Sequence, residues 1–209
     1  MCEESLSIKL RLTKTRQNTK SVIQQEWSNM KDKIIVAVDA MGGDNAPAEI
    51  VKGAVLAVNS SDNIYVVLLG NEEAVGSELA KYTYNKEKIS VKNTTEVIET
   101  GEPPVMAIKK KKDSSLVAGM HMVKEGNADA IVSAGSSGAI LVGGQVIVGR
   151  IKGVERPPLA PLIPTLKGVS LLVDCGANVD ARASHLVQFA RMGSIYMENV
   201  IGVKRPKVG

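Results

Sequence analysis

The chain has 209 residues, with 26 lysines and arginines against 22 aspartates and glutamates, two histidines, two cysteines and 44% apolar residues. That length suits one large domain with its own core, and a net charge of only +4 with this apolar content excludes disorder along the whole chain. Aromatic residues at 3% are too few for a base-stacking surface, so nucleic acid is not an expected partner, and no apolar run reaches the roughly 20 residues of a membrane span. Cys2 and Cys175 have neither metal-ligand nor disulfide spacing, and Glu3 and Glu4 stand where a secretory leader would be basic. The expectation is a reducing cytoplasm, with no metal and no cofactor.

Residues 1–32 scatter Lys9, Arg11, Lys14, Arg16, Lys20 and Lys31 among polar side chains without helical spacing. They read as a basic polar tail, or as a stretch lying before a true start at Met30. From Lys33 onward, strands and helices alternate. Ile34–Asp39 is a β-branched run ending at a turn, as in a buried parallel strand, and Pro47–Val58 follows as a helix. Tyr65–Leu69 is a second strand and Glu72–Lys81 a second helix. Ile89–Val91 and Val97–Ile98 are weaker strand candidates, and Gly101–Pro104 is a connection. Ser114–Glu125 is a helix capped by Ser114 or Asp113 and stopped at Gly126-Asn127. Asp129–Ser133 is a strand and Ser136–Val148 a helix rich in small residues. Val169–Asp174 reads as another buried strand, and Ala183–Val200 as a long final helix. The alternation predicts an α/β domain over residues 33–209, with a mostly parallel sheet and helices on both faces.

In such sheets ligands bind beyond the carboxyl ends of the strands, and three loops fall there. The first, Asp39 to Pro47, contains Gly42-Gly43, whose backbone can approach an anion closely. It lacks the third glycine of a dinucleotide fingerprint, and a tight turn with Asp44 as helix cap explains it equally well. The second, Ser133-Ala134-Gly135-Ser136-Ser137-Gly138, offers hydroxyls and bare N–H groups at a helix start but no Walker lysine. Its competing explanation is close helix–sheet packing. In the third, Asp174 to Asp180, Asp174 and Asp180 can pair for acid–base work and Asn178 can donate to an oxyanion, or the polar residues simply cap a helix. Cys175 reads as inert filler rather than a nucleophile. Arg150, Lys152 and Arg156 put three cations on a Gly- and Pro-framed loop, a better anion candidate than the Lys109–Lys112 run. His185 reads as a polar edge residue.

Ile35–Pro47 (IVAVDAMGGDNAP), Ser133–Ala139 (SAGSSGA), Val148–Pro164 (VGRIKGVERPPLAPLIP), Asp174–Asp180 (DCGANVD) and His185–Tyr196 (HLVQFARMGSIY) together resemble the bacterial acyl-acyl-carrier-protein:phosphate acyltransferases. Order and spacing agree from about Lys33 to Gly209. Asn45, Ser136-Ser137 and Cys175 stand where that family commonly has His, Asn-Thr and Val, and its members continue well past Gly209. The resemblance implies the first part of a Rossmann-like, three-layer α/β/α sandwich, similar to phosphotransacetylases and isopropylmalate-type dehydrogenases and usually homodimeric. It implies transfer of a fatty acyl group from acyl carrier protein to inorganic phosphate for phospholipid synthesis. Peripheral contact with the membrane or a downstream glycerol-phosphate acyltransferase goes with it. Alternatives are a non-catalytic fragment that binds carrier protein or dimerises, and a phosphotransacetylase-like enzyme using coenzyme A thioesters.

Under that reading the loop positions select the site. Ser133, Gly135, Ser136, Ser137 and Gly138, with Arg150, Lys152 and Arg156, are the expected phosphate ligands. The Gly42-Gly43 backbone is expected to orient the thioester, and Asp44, Asp174 and Asn178 are the candidates for catalytic work.

Overall fold

The computed structural model describes residues 33–178 and 180–209, so the basic tail falls outside the described residues. A four-stranded parallel sheet carries the first half: β1 (Ile34–Asp39), β2 (Ile64–Gly70), β3 (Ile89–Asn93) and β4 (Ala130–Val132), in spatial order β3-β2-β1-β4. Ile34 pairs with Ile64 and Val36 with Ala130, fixing β1 between β2 and β4. Chain order runs outward from β1 to β3 on one side and then returns to place β4 on the other. The reversal therefore falls between β1 and β4, where their outgoing loops leave a crevice.

Alternation along β1 and β2 divides the core between the two faces. Val38, Val66 and Leu68 pack with α1 (Ala48–Ser60) and α2 (Glu72–Leu79), through Val51, Val55, Val58 and Val75. Ile35, Ala37, Val67 and Leu69 face the other way, against Met122 of α4 (Ser115–Lys124). Helices on both faces of a parallel sheet make the expected three layers. A third cluster joins α3 (Pro104–Lys110), α4 and α5 (Ser137–Gly143, continued as a π turn to Val148), with Met120 packed where a Cβ on Gly143 would strike its sulfur. Caps are supplied locally: the Asn71 side chain accepts from the Ala74 N–H at 2.9 Å, and Ser114 accepts from Val117 at 3.4 Å.

Three sequence expectations are corrected. Val97–Ile98 forms no strand; its neighbourhood is held by one bridge, Glu96 to Ser114, with Asp113 accepting from the Thr95 N–H and hydroxyl. The stretch read as a connection and a lysine run contains α3, begun by proline at its first helical position, where no N–H is needed. Val169–Asp174 is not a buried parallel strand. Residues Gly168–Leu171 form β6, paired antiparallel with β5 (Leu162–Thr165) in a hairpin separate from the main sheet and largely exposed. An apolar run alone does not report its partner, and Gly168, at φ +141, supplies the turn that returns β6 to β5. The final helix α6 (Ala183–Tyr196, with a π turn to Ile201) buries Phe189 and Met197, and its Gly193 lies against Leu171 and Val173.

Candidate functional site

Asp39, the last residue of β1, is buried at the crevice with 3% exposure. A carboxylate so placed is costly unless hydrogen bonds replace water. Its Oδ1 accepts from the Ser115 hydroxyl at 2.6 Å and the Met41 N–H at 3.2 Å, and its Oδ2 accepts from the Ser133 hydroxyl at 2.7 Å. Ser133 in turn accepts from the Gly135 N–H at 3.1 Å. The network ties β1, the start of α4 and the loop after β4 into one frame.

The first two loops predicted from the sequence meet over this frame. A Cβ on Gly42 would come within 2.4 Å of Asp39 Oδ2 and 3.0 Å of the Gly135 nitrogen, so only glycine fits. Gly43, at φ +102, sits against Ala134. Within the second loop the groups divide by task. Gly135 spends its N–H on Ser133, and Ser136 is a buried N-cap accepting from Ala139 at 3.3 Å. Ser137 is exposed and Gly138 half-buried, and their N–H groups, with those of Gly42 and Gly43, find no protein acceptor among the described residues. These four are the donors the crevice can offer to an anion. Asp44 is exposed in the turn, and α1 has Pro47 at its N-cap with no side-chain cap bond, so Asp44 does not perform the capping role considered for it.

The third loop forms a second cluster with the cationic segment. Asp174 Oδ1 accepts from the Leu159 N–H at 2.8 Å, and Oδ2 accepts from both the backbone and side-chain nitrogens of Asn178, each at 2.8 Å. Partial burial pushes the Asp174 pKa up, but the N–H groups of Leu159, Asn178 and Ala177 outweigh it, so the carboxyl titrates below its ordinary value. Arg156 donates to Asn178 Oδ1 at 3.4 Å, while Arg150 donates to the Glu155 carbonyl and Lys152 is exposed. Asp180 is exposed and does not meet Asp174 in a hydrogen bond. Cys175 is exposed, not buried filler.

His185 also departs from expectation. It is buried in the first turn of α6, its Nδ1 accepting from the Arg182 N–H at 3.2 Å and its Nε2 lying 3.1 Å from Glu155 Oε2. An accepting Nδ1 leaves Nε2 as the donor to Glu155. No hydrogen bond among the described residues joins this second cluster to the Asp39 frame. The described residues also hold no group of three or more His, Cys, Asp or Glu side chains able to bind a metal.

A family model described as "Fatty acid synthesis protein" matches residues 34–209. The chain belongs to that family. It is 53% identical over 174 residues to a phosphate acyltransferase of Clostridium beijerinckii, covering 83% of this chain and 52% of the relative. To relatives of the same name from Clostridium kluyveri and Alkaliphilus oremlandii it is 52% identical, over 84% and 83% of this chain and 52% and 51% of theirs. The chain thus spans about half the length of these relatives. Its fold is similar to a phosphotransacetylase from Streptococcus pyogenes, with a TM-score of 0.57 at 18% identity over 86% of this chain and 59% of that one. The EutD phosphotransacetylase of Staphylococcus aureus gives the same score at 16% identity, over 85% and 57%. This supports the Rossmann-like α/β architecture.

Sequence reasoning missed Asp39 and Ser115 as organisers of the site. The signal available was an acidic residue closing an otherwise apolar strand, since a carboxylate there requires donors from neighbouring loops.

Proposed function

We propose that this chain forms part of a phosphate acyltransferase that moves a fatty acyl group from acyl carrier protein to inorganic phosphate. The reading is carried by family membership, with about half the residues identical to relatives bearing that name. In the reaction a phosphate oxygen attacks the thioester carbonyl carbon. The tetrahedral intermediate then expels the carrier's sulfur, which leaves as thiolate and takes a proton, while the acyl phosphate departs. Phosphate is itself the nucleophile, so the protein's task is to hold a dianion and stabilise the developing oxyanion.

The crevice suits that task. We assign phosphate to the free N–H groups of Ser137 and Gly138, framed by Ser133, Gly135 and Ser136, and assign Arg150, Lys152 and Arg156 of the separate second cluster as its cationic ligands. The Gly42-Gly43 backbone and Asn178 orient the thioester, and ionised Asp174 fixes Asn178. Asp44, exposed in the first loop, is our assignment for the group that accepts a proton. Acyl carrier protein and phosphate are the partners, the homodimer is the working form, and any membrane contact is peripheral in the cytoplasm. No helix among the described residues is long and apolar enough to cross a membrane.

The test is release of free thiol from acyl carrier protein by an active enzyme containing this chain. Thiol release that depends on phosphate, with acyl phosphate as product, is the expected result. Release at the same rate without phosphate would make it a thioesterase, and activity confined to coenzyme A thioesters would change the donor.

A further inference from the structure

Between α3, α4 and the end of α5 lies a groove of about 430 Å³. Ile108, Val117 and Ile147 are buried along it, while Val105 and Val146 border it with 60% and 69% of their surface exposed. An aliphatic segment lying along this apolar floor would shield both valines from water. The charged groups lining the groove are Lys109 and Lys112, and His121 is its remaining polar one; no carboxylate lines it. Such a groove attracts an amphiphile with an anionic head and an aliphatic chain, and disfavours a cationic one.

Its position selects among amphiphiles. The three helices that line it are tied to the candidate site. Ser115 of α4 bonds Asp39, and α5 starts at the Ser136 cap. Pro104 of α3 closes on Gly138 so tightly that a Cβ there would lie 2.7 Å from its Cγ. Val105, the next residue, begins the groove, so one end adjoins the small-residue loop.

We propose that this groove receives the aliphatic chain of the enzyme's own acyl substrate and acyl phosphate product, leading it away from the crevice; the inference rests on the acyl-transfer reading.

Dodecyl phosphate, a stable stand-in for an acyl phosphate, and butyl phosphate provide the test. Both are titrated below micelle formation against the 209-residue chain by calorimetry. The expected result is that dodecyl phosphate binds at least about tenfold more tightly. Val105→Asp and Val146→Asp, both at exposed positions, are each expected to weaken it about tenfold while leaving butyl phosphate unchanged. Circular dichroism checks that the variants fold. Equal affinity for the two phosphates, or dodecyl phosphate binding unaltered by both substitutions in folded protein, overturns the proposal. So does a pattern in which the substitutions abolish only binding to phosphatidylglycerol vesicles, or only self-association in sedimentation, since the groove would then be a membrane or subunit surface. Chain-length dependence that persists in an enzyme whose thiol release ignores phosphate would support the groove while sinking the phosphate-transfer reading.

Discussion

The Asp39 carboxylate and the Ser133 hydroxyl, 94 residues apart in the chain, meet at 2.7 Å beneath the crevice where the strand order reverses. Ser115 completes the arrangement from the start of α4. A buried charge satisfied by two hydroxyls and a backbone N–H holds two loops in register, and neither loop's shape is independent of it.

Removing that charge has a defined consequence. Asp39→Ala leaves the Ser115 and Ser133 hydroxyls without their acceptor and should destabilise the protein by about 2–3 kcal/mol. Ser115→Ala should cost less, about 1 kcal/mol, because Asp39 keeps its bond from Ser133. Urea unfolding of the two single variants and the Asp39→Ala/Ser115→Ala double variant checks this, the double variant being destabilised by less than the sum of the singles because both lose the same bond.

Gly42 tests the contact between the loops. A methyl group there meets Asp39 Oδ2 at 2.4 Å, and neither the buried carboxylate nor the Gly135 backbone can yield cheaply. Gly42→Ala should cost about 1–3 kcal/mol, whereas Gly53→Ala, on an exposed face of α1 with nothing within 4 Å, should be neutral or mildly stabilising. Thermal unfolding of the two variants separates them.

The βα units from Ile34 to Leu79, the strand at Ile89 and the helix Ser115–Lys124 were legible because their apolar runs were bounded by turn or capping residues, as at Gly70-Asn71 and at Asp113-Ser114. Both glycine loops were legible for the same reason. The β5–β6 hairpin was not, because Val169-Ser170-Leu171-Leu172 has the composition of a buried strand whichever partner it takes. Helix α3 was hidden by Pro103-Pro104 and by lysines that read as a solvated run. The Asp39 hub escaped because its partners lie 76 and 94 residues away, and no local pattern carries that separation. Cys175, read as inert filler of the buried kind, is exposed instead.

The cationic segment separates an anion ligand from a loop anchor. In an active enzyme containing this chain, Arg150→Ala should lower kcat/KM for phosphate by about 2–3 kcal/mol, the value of charge-assisted bonds to the anion. Steady-state kinetics with phosphate as the varied substrate provides the measurement. Unchanged phosphate kinetics in a folded variant would confine Arg150 to its bond with the Glu155 carbonyl.

Cys175→Val should leave activity within a few-fold. The side chain is exposed, so the substitution removes no core packing, and acyl transfer to phosphate needs no protein nucleophile. Complete loss of activity in a folded variant, together with an acylated thiol in the parent, would reverse this assignment.

Asp174 carries the pH dependence of the second cluster. Its folded pKa lies below the ordinary aspartate value, so across the interval between them the unfolded chain binds more protons than the folded one. The bonds to Leu159 and Asn178 therefore contribute fully above about pH 4 and are lost as pH falls through the lower folded value. At neutral pH Asp174 is ionised, able to orient Asn178 or accept a proton but not to supply one. Asp174→Ala should accelerate amide hydrogen exchange at Leu159 and Asn178 near neutral pH, because both N–H groups lose a charged acceptor. The difference from the parent protein should shrink as the parent is acidified below the ordinary aspartate range and its own Asp174 becomes protonated. Exchange rates at these two amides that are equal in parent and variant at neutral pH would show that the loop holds its shape without the carboxylate.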